Sequence, residues 1–185
     1  MITFSQIKEI DTNVSQSDFL AIQPYLDGAL ERYNISANKN RLRAFLSQVL
    51  LESGGFHYLK EIASGSEYEG RSDLGNIHAG DGVKYKGRGL IQLTGLNWYQ
   101  KFTKALSLEN ADFVNNPSFL EEPKWAVESA CWFWSINHLN EMADNLVGDA
   151  VKDLGVFKMI TKTINGGYNG LTQRETYYEN AIKYV

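Results

Sequence analysis

The stretch KNRLRAFLSQVLLESGGF, residues 39–56, shows the clearest helical periodicity in the chain and decides the fold class. Its apolar residues recur at the i, i+3, i+4, i+7 spacing that places side chains on one helix face. They are Leu42, Phe45, Leu46, Val49 and Leu50. Gly54 and Gly55 follow, and glycine readily adopts the left-handed conformation that ends a helix. The pattern therefore predicts a core helix over residues 39–52, with Glu52 at its C-terminal end.

The same periodicity predicts four further helices, over residues 17–33, 122–138, 148–164 and 171–184. On the first of these, the expected core face consists of Phe19, Leu20, Leu26, Leu30 and Tyr33. The second is apolar on most sides, so we expect it to be the central buried helix. The sequence therefore predicts a mainly α protein with a single domain over residues 1–185.

Residues 64–89 differ from the rest of the chain because they contain seven glycines and few aliphatic side chains. A segment of this length without regular structure is uncommon inside a compact domain unless it carries function. We therefore expect this segment to contribute to a functional site. A surface hairpin of little consequence is the alternative.

Composition and charge argue against several function classes. The chain has 18 basic and 22 acidic residues and a net charge of -4, without the basic tract that a nucleic-acid binder needs. No run approaches the roughly 18 apolar residues that span a bilayer, so we expect no stable membrane insertion. The single cysteine, Cys131, permits no internal disulfide. Because the chain has one cysteine and its start shows no signal-peptide pattern, we expect a protein made in a reducing cytoplasm. We also expect a monomer.

Two glutamates, Glu52 and Glu61, flank the Gly54-Gly55 break. On a continuous helix their backbones would be about 13 Å apart, but the glycines allow the chain to turn back. A fold-back would place both carboxylates beside one groove. Glycosidic cleavage uses such a pair, because one carboxyl protonates the leaving oxygen while the other activates water. The spacing alone is a weak signal, since a glutamate near a helix end is usually solvated.

Further motifs strengthen this interpretation: YEGR-DLGN within residues 68–76, GDG-KYKGRGLIQLTG within 80–95, and INGGYNGL at 164–171. Together with ESGGF at 52–56, they resemble glycoside hydrolase family 19, the chitinase-type family, and in particular its phage endolysin branch. The resemblance extends over about residues 40–178. It implies a lysozyme-like, two-lobed helical fold with a small irregular or β segment and a central cleft. It also implies one catalytic domain without a separate cell-wall-binding domain.

The resemblance implies catalytic roles for three residues. Glu52 corresponds to the general acid, Glu61 to the general base, and Thr94 to the hydroxyl residue that holds the attacking water. Partial burial behind an apolar helix face is expected to favour the protonated form of Glu52. The polar residues after Glu61 should leave that carboxyl ionised. Glu69, within YEGR, is the alternative base.

Four more residues correspond to the family's substrate-binding positions or stand near them. Gln92 corresponds to a sugar-contacting amide, and residue alternation would place it beside Thr94 on one side of a short extended strand. Asn165 corresponds to another such amide, although its place before two glycines is equally typical of a turn. Arg174 corresponds to a basic residue that often pairs with a catalytic carboxylate, although a lone helical arginine is usually on the surface. Trp98 stands where the family tends to have Asn, and either stacks on a sugar or belongs to the core.

Leu51 is a second departure from the family pattern, since the family often has His immediately before the acid.

A metal site is not expected. His57, Glu61 and His78 are conceivable ligands, but the chain has no HExxH motif, and its one cysteine excludes a thiolate zinc cluster. We also expect no cofactor.

The sequence therefore predicts an inverting glycosidase that cuts β-1,4 links between N-acetylated amino sugars. Peptidoglycan glycan strands are the expected substrate, which would make the protein an endolysin that reaches the cell wall after release and lyses a bacterial host. Chitin is the alternative substrate, because both polymers present N-acetylglucosamine. A non-catalytic glycan-binding module is the second hypothesis, but such a module would not need both acids and Thr94.

Overall fold

The computed structural model describes residues 1–185 as nine α-helices connected by loops and short 3-10 turns. In chain order the helices are α1 (Phe4–Ile10), α2 (Gln16–Arg32), α3 (Lys39–Glu52), α4 (Asp81–Lys84), α5 (Leu96–Ala105), α6 (Pro123–Ile136), α7 (Leu139–Ala143), α8 (Ala150–Asn165) and α9 (Leu171–Tyr184). Extended backbone pairs only in two isolated bridges, Lys60 with Arg88 and Arg88 with Leu93. The predicted mainly α fold is confirmed. None of the helices combines the length and the hydropathy that crossing a bilayer requires.

Helix α3 spans the predicted residues and lies deep in the core. Asn38 caps its start, because the side-chain oxygen accepts a hydrogen bond from the Asn40 amide at 2.8 Å. Residues 44–50 are all buried. Helix α9 packs along α3, and Trp134 of α6 meets Phe45 with 5.4 Å between ring centroids. This packing fixes the direction in which α3 delivers Glu52.

Helix α6 is buried over residues 126–134, as its apolar composition predicted, and α2 packs against it. The predicted core face of α2 is wrong at one position. Leu20 is 52% exposed, whereas Ile22 is buried. Ile22 lies three residues after Phe19 and four before Leu26, so it continues the buried stripe of a 3.6-residue helix, whereas Leu20 points about 100° away from Phe19.

The chain reverses direction immediately after α3. Gly54, Gly55 and Phe56 have φ values of 56°, 71° and 70°, so three successive residues adopt the left-handed conformation. The Ser53 hydroxyl secures this turn by accepting a hydrogen bond from the Phe56 amide at 2.9 Å. The following residues then pair with residues 87–88, where the Glu61 amide donates to a carbonyl oxygen at 2.9 Å. The glycine break thus folds the chain back, as the sequence predicted.

The segment around Gln92 is a tight turn, so the predicted extended strand is wrong. The amide of Leu93 donates to the carbonyl oxygen of Arg88 at 2.8 Å, and Gln92 has a φ of 54°. The physical reason is packing against α6. A Cβ atom on Gly89, whose φ is 78°, would lie 2.6 Å from the Ser129 hydroxyl, so only glycine lets the turn approach that helix.

Candidate active site

An open cleft of about 550 Å³ lies where the C-terminal ends of α3 and α8 approach the loops between α3 and α5. It is lined by 14 residues, of which half are hydrophobic. Five predicted site residues are among them: Glu52, Gln92, Thr94, Trp98 and Asn165. The fold therefore brings to one cleft side chains that lie more than a hundred positions apart in the sequence. The glycine-rich segment contributes to the same wall, as predicted, through residues 68, 71 and 74.

Glu52 is held in the cleft wall by an ion pair. Its carboxylate accepts a hydrogen bond from Arg174 Nη2, and the two side chains are 15% and 2% exposed, respectively. The same guanidinium donates to Gln48 Oε1 at 2.6 Å and to the carbonyl oxygen of Asn169 at 3.3 Å. The carboxylate pairing that the resemblance implied for Arg174 is thus present. Glu52 is partly buried, but it contacts a cation, whereas the sequence suggested apolar surroundings. Arg174 does not line the cleft and contacts Glu52 from the protein interior.

Glu61 is fixed by two hydrogen-bond donors, one to each carboxylate oxygen. The phenol of Tyr68 donates to Oε1 at 3.0 Å, and the backbone amide of Gly87 donates to Oε2 at 3.0 Å. Burial, and then the bond to Glu61, raises the pKa of Tyr68 to about 12, so this phenol remains a donor at neutral pH. Donors to both oxygens fix the orientation of this carboxylate, and a general base must be held in place in this way.

Gly87 brings Glu61 together with two other predicted site residues. A Cβ atom at this glycine would lie 3.0 Å from Gln92 Oε1, 3.2 Å from Glu61 Oε2 and 3.3 Å from Thr94 Oγ1. Three oxygen atoms therefore surround one point beside the backbone. The Thr94 hydroxyl donates to the carbonyl oxygen of Gln92 at 2.8 Å, which leaves its lone pairs to accept a further hydrogen bond.

The predicted sugar-contacting amides are partly engaged within the protein. Gln92 Nε2 donates to the carbonyl oxygens of Tyr58 at 3.1 Å and Gly89 at 2.9 Å, so only its Oε1 remains for a ligand. Asn165 Oδ1 accepts a hydrogen bond from the Asn169 amide at 3.3 Å, and its side-chain NH₂ makes no hydrogen bond within the chain. Asn165 therefore has the turn role that the sequence allowed and retains two donors at the cleft.

Trp98 combines both environments that the sequence left open. Its half-buried ring packs against Trp132 and Phe133, with centroid distances of 6.0 Å and 5.2 Å, and the residue also lines the cleft. Lys101 Nζ lies 4.5 Å from the centroid of the ring. Leu51, the other departure, sits against the loop before α9, where a Cβ atom on Gly170 would lie 2.6 Å from its side chain.

Glu69, the alternative base, holds the glycine-rich loop together. Its two oxygens accept hydrogen bonds from the backbone amides of Gly80 at 2.6 Å and Gly82 at 2.8 Å. The residue is exposed and does not line the cleft. Glu61 is not among the lining residues either, but its carboxylate lies beside Gln92 and Thr94, which are. The histidines also lie elsewhere: His57 contacts Asp18 at 3.1 Å, and the chain has no group of three or more metal-ligating side chains.

Sequence reasoning missed three residues that support the predicted acid and base. Tyr68 donates to Glu61, Gln48 accepts from Arg174, and Thr161 accepts a hydrogen bond from Gln48 Nε2 at 2.9 Å. A usable signal existed for Gln48. It lies one helical turn before Glu52, beside the predicted core residues Val49 and Leu50, and a buried amide requires a partner. Tyr68 lay within a quoted motif, but nothing in the sequence indicated its partner.

A mainly helical fold with one anchored glutamate in the wall of an open cleft and a second one next to its lining residues is the arrangement expected of a lysozyme-like glycoside hydrolase. The sequence profile of the family described as Chitinase class I, glycoside hydrolase family 19, matches residues 45–185. The chain therefore belongs to glycoside hydrolase family 19, and the predicted hydrolase class is confirmed. A family 19 domain-containing protein of Haemophilus influenzae is 29% identical over 174 residues, covering 76% of this chain and 78% of that protein. An endochitinase of Arabidopsis thaliana is 31% identical over 140 residues, covering 75% of this chain but only 44% of the relative.

Solved structures agree with this fold. A class IV family 19 chitinase from Zea mays superposes with a TM-score of 0.66 at 21% identity, covering 98% of this chain and 89% of that one. A bacterial family 19 chitinase superposes with a TM-score of 0.65 at 23% identity, covering 99% and 94%. At these identities the likeness concerns the fold, whereas the family assignment comes from the sequence match.

Proposed function

We propose that this protein hydrolyses β-1,4 links between N-acetylated amino sugars with inversion, using Glu52 as the acid and Glu61 as the base. The observation that most directly supports this proposal is that Glu61 Oε2, Thr94 Oγ1 and Gln92 Oε1 all lie around Gly87. They lie next to a cleft whose wall contains Glu52. An anchored carboxylate beside an accepting hydroxyl is suited to orient a water molecule.

The base side works through the hydrogen bonds that are already formed. Because Thr94 donates its proton to Gln92, its oxygen accepts one hydrogen of the attacking water while Glu61 accepts the other. The lone pair of that water then points away from both residues, toward the anomeric carbon. Glu61 takes the proton as the new C–O bond forms, and Tyr68 and Gly87 maintain its orientation.

The acid side needs a proton and a way to stabilise the anion that remains. Glu52 donates its proton to the leaving glycosidic oxygen, and the resulting carboxylate is held by Arg174. A preorganised cation at the site of developing negative charge stabilises the transition state without reorganisation. The bond between the sugars breaks as water adds to the opposite face of the ring, which inverts the anomeric configuration.

For the substrate we propose peptidoglycan, with the protein acting as an endolysin after its release from the cytoplasm. The sequence resemblance to the phage branch of the family supports this proposal, and so does the openness of the cleft, since peptide stems on alternate sugars must project into solvent. Chitin oligomers are the second candidate. They are favoured by the endochitinases among the relatives, of which the Arabidopsis protein is matched over only 44% of its length.

The test uses purified protein on peptidoglycan sacculi and on chitin hexamers. We expect new reducing ends, and mass spectrometry of the released muropeptides or oligomers identifies the polymer and the bond. NMR of the first product is expected to show the α-anomer. Glu52→Gln and Glu61→Gln should each lose about 10²–10⁴-fold in rate, the usual contribution of general acid or base catalysis.

Glu69→Gln is the matched control for the base assignment. It changes the same functional group in the same loop, but its carboxylate contacts the backbone of Gly80 and Gly82. We expect it to keep most of the activity. A larger rate loss in Glu69→Gln than in Glu61→Gln would transfer the base role to Glu69. Full activity in Glu52→Gln would reject the mechanism.

A further inference from the structure

A buried polar chain leads from helix α8 to the proposed acid. Thr161 of α8 accepts a hydrogen bond from Gln48 Nε2 at 2.9 Å, and Gln48 Oε1 accepts one from Arg174 Nη1 at 2.6 Å. Arg174 Nη2 then contacts the carboxylate of Glu52. Thr161 and Gln48 are fully buried, and Arg174 is 2% exposed. Three helices, α8, α3 and α9, thus contribute consecutive members.

We propose that Gln48 and Thr161 form a positioning pair that holds the Arg174 guanidinium against the Glu52 carboxylate. The inference rests on the proposed role of Glu52 as the acid. Neither residue lines the cleft, so both act through Arg174 rather than on the sugar. The pair and the guanidinium are within hydrogen-bonding distance only because α9 and α8 both pack near the end of α3.

The orientation of the Gln48 amide is the decisive element. An amide has a donor end and an acceptor end, and a guanidinium accepts no hydrogen bond. Thr161 binds the NH₂ end of Gln48, so the carbonyl end is presented to Arg174. A reversed amide would direct N–H groups at N–H groups and displace the guanidinium. The guanidinium, which can only donate, therefore selects this orientation of the amide, and the Thr161 hydroxyl stabilises it by accepting from the NH₂ end.

Gln48 is also neutral, which leaves the charge of Arg174 to a single carboxylate. The third acceptor of the guanidinium is the carbonyl oxygen of Asn169, which is neutral as well. Arg174 consequently stabilises one anion, the one that Glu52 becomes after proton transfer. A carboxylate at position 48 would compete for the same cation.

Few other charged groups face this part of the cleft. Besides Glu52, the only charged residue that lines the cleft is Arg71, which forms an ion pair with Asp73 through two hydrogen bonds. Tyr68 is the one further titratable side chain in the lining. Helix α8 contributes uncharged residues to the cleft, and Glu61 lies beside Gly87. Arg174 is thus the cation that contacts Glu52 directly.

The test follows the titration of Glu52 by the ¹³C resonance of its side-chain carboxyl carbon, assigned by its absence in Glu52→Gln. In Thr161→Val we expect the midpoint to rise relative to the wild type, because the guanidinium that contacts the carboxylate is less firmly held. Thr161→Ser retains the hydroxyl and should titrate like the wild type. Thr176→Val, at an exposed threonine on α9, is the matched control.

The rate of hydrolysis of the polymer that the wild-type protein cleaves gives a second readout. In Thr161→Val we expect kcat to fall about 5–10-fold with KM little changed, and the alkaline limb of the kcat/KM profile to move upward with the midpoint. In Gln48→Glu the midpoint should also rise, since a second carboxylate shares Arg174 and repels Glu52.

The outcomes separate the two claims. A folded Thr161→Val protein with the wild-type Glu52 midpoint overturns the positioning pair, and so does equal impairment of Thr161→Ser. If Thr161→Val does not fold, Gln48→Glu takes its place. A wild-type Glu52 midpoint in that variant overturns the positioning pair. Full activity in Glu52→Gln, by contrast, rejects the proposed function, whereas the NMR titration still tests the positioning of Arg174.

Discussion

Tyr68 is the residue whose replacement most directly tests the anchoring of the proposed base. Tyr68→Phe removes the donor to Glu61 Oε1 and leaves the ring in place. A hydrogen bond to the charged form of an acid favours that form, so its loss makes Glu61 easier to protonate. We expect the acidic limb of the kcat/KM profile to move to higher pH, with a rate loss of about tenfold near neutrality, typical for a hydrogen bond to a charged group.

The control for this prediction is Tyr25→Phe, at an exposed tyrosine of α2. Its pH profile should coincide with that of the wild type. Because the pKa of Tyr68 is raised to about 12, its own ionisation should not appear in the wild-type profile below that range. An unchanged acidic limb in Tyr68→Phe would mean that the Gly87 amide alone holds the base.

At this scale the sequence predicted an acid, a base and a hydroxyl residue, but not what surrounds them. Glu52 and Thr94 lie in motifs, and Glu61 lies between two of them, so a resemblance can name them. The contact of Arg174 with Glu52 joins residues 122 positions apart. It exists because α9 packs on α3, and helical periodicity specifies which face of a helix is buried but not which helix covers it.

At the scale of elements, long helices were predictable and short turns were not. Helix α3 has the predicted limits because its apolar spacing, its Asn38 cap and its glycine stop all agree. The segment around Gln92 alternates like a strand, yet it forms a turn. The Gly89 turn packs on α6, and this tertiary contact overrides a local pattern only a few residues long.

Two glycines in different elements should separate catalysis from stability. Gly87→Ala places a methyl group 3.0–3.3 Å from three site oxygens, so these must shift by a few tenths of an ångström. Gly87 has no positive φ, so the backbone tolerates alanine. We expect a loss of about 10–100-fold in kcat, since such misplacement disturbs positioned groups, and little change in Tm.

Gly155→Ala is the matched substitution in a helix. Gly155 lies inside α8, where a Cβ atom would have no neighbour within 4 Å. Alanine in a helix interior is about 0.5–1 kcal/mol more favourable than glycine, which corresponds to a rise of about 1–4 °C in Tm for a chain of this size. Calorimetry and initial rates should therefore show raised Tm with unchanged activity. An equal activity loss in Gly87→Ala and Gly155→Ala would show that the loss does not come from displacing the three oxygens around Gly87.

At the scale of the whole molecule, tyrosine–carboxylate contacts connect the helices. Tyr33, after α2, donates to Glu128 of α6 at 2.8 Å, and Tyr178 of α9 donates to Asp153 of α8 at 2.8 Å. Tyr177 of α9 lies beside Asp11, which ends α1. Burial, followed by the neighbouring carboxylate, raises the pKa of each of these phenols above its usual range. The fold therefore depends on phenols that remain protonated.

This dependence predicts a steep loss of stability in alkali. An unfolded tyrosine ionises near pH 10, whereas the folded phenols keep their protons to higher pH, so the unfolded state releases protons first. The stabilisation is complete below about pH 10 and declines as the pH rises toward the folded values. Each such phenol contributes a slope that approaches about 1.4 kcal/mol per pH unit to the free energy of unfolding once the unfolded tyrosine is ionised and the folded one is not.

Tyr178→Phe tests one of these contacts in full. At pH 7 the variant should lose about 1–3 kcal/mol, because Asp153 loses a donor in a buried position. Between pH 10 and 11, urea unfolding should show a slope about 1 kcal/mol per pH unit shallower than that of the wild type, because one proton-linked group is gone and its unfolded form is only partly ionised in this range. Tyr25→Phe, at an exposed position, should retain the wild-type slope. Equal slopes in the wild type and Tyr178→Phe would show that alkaline unfolding does not depend on the Tyr178 phenol, since the two proteins differ only in the group that must release its proton.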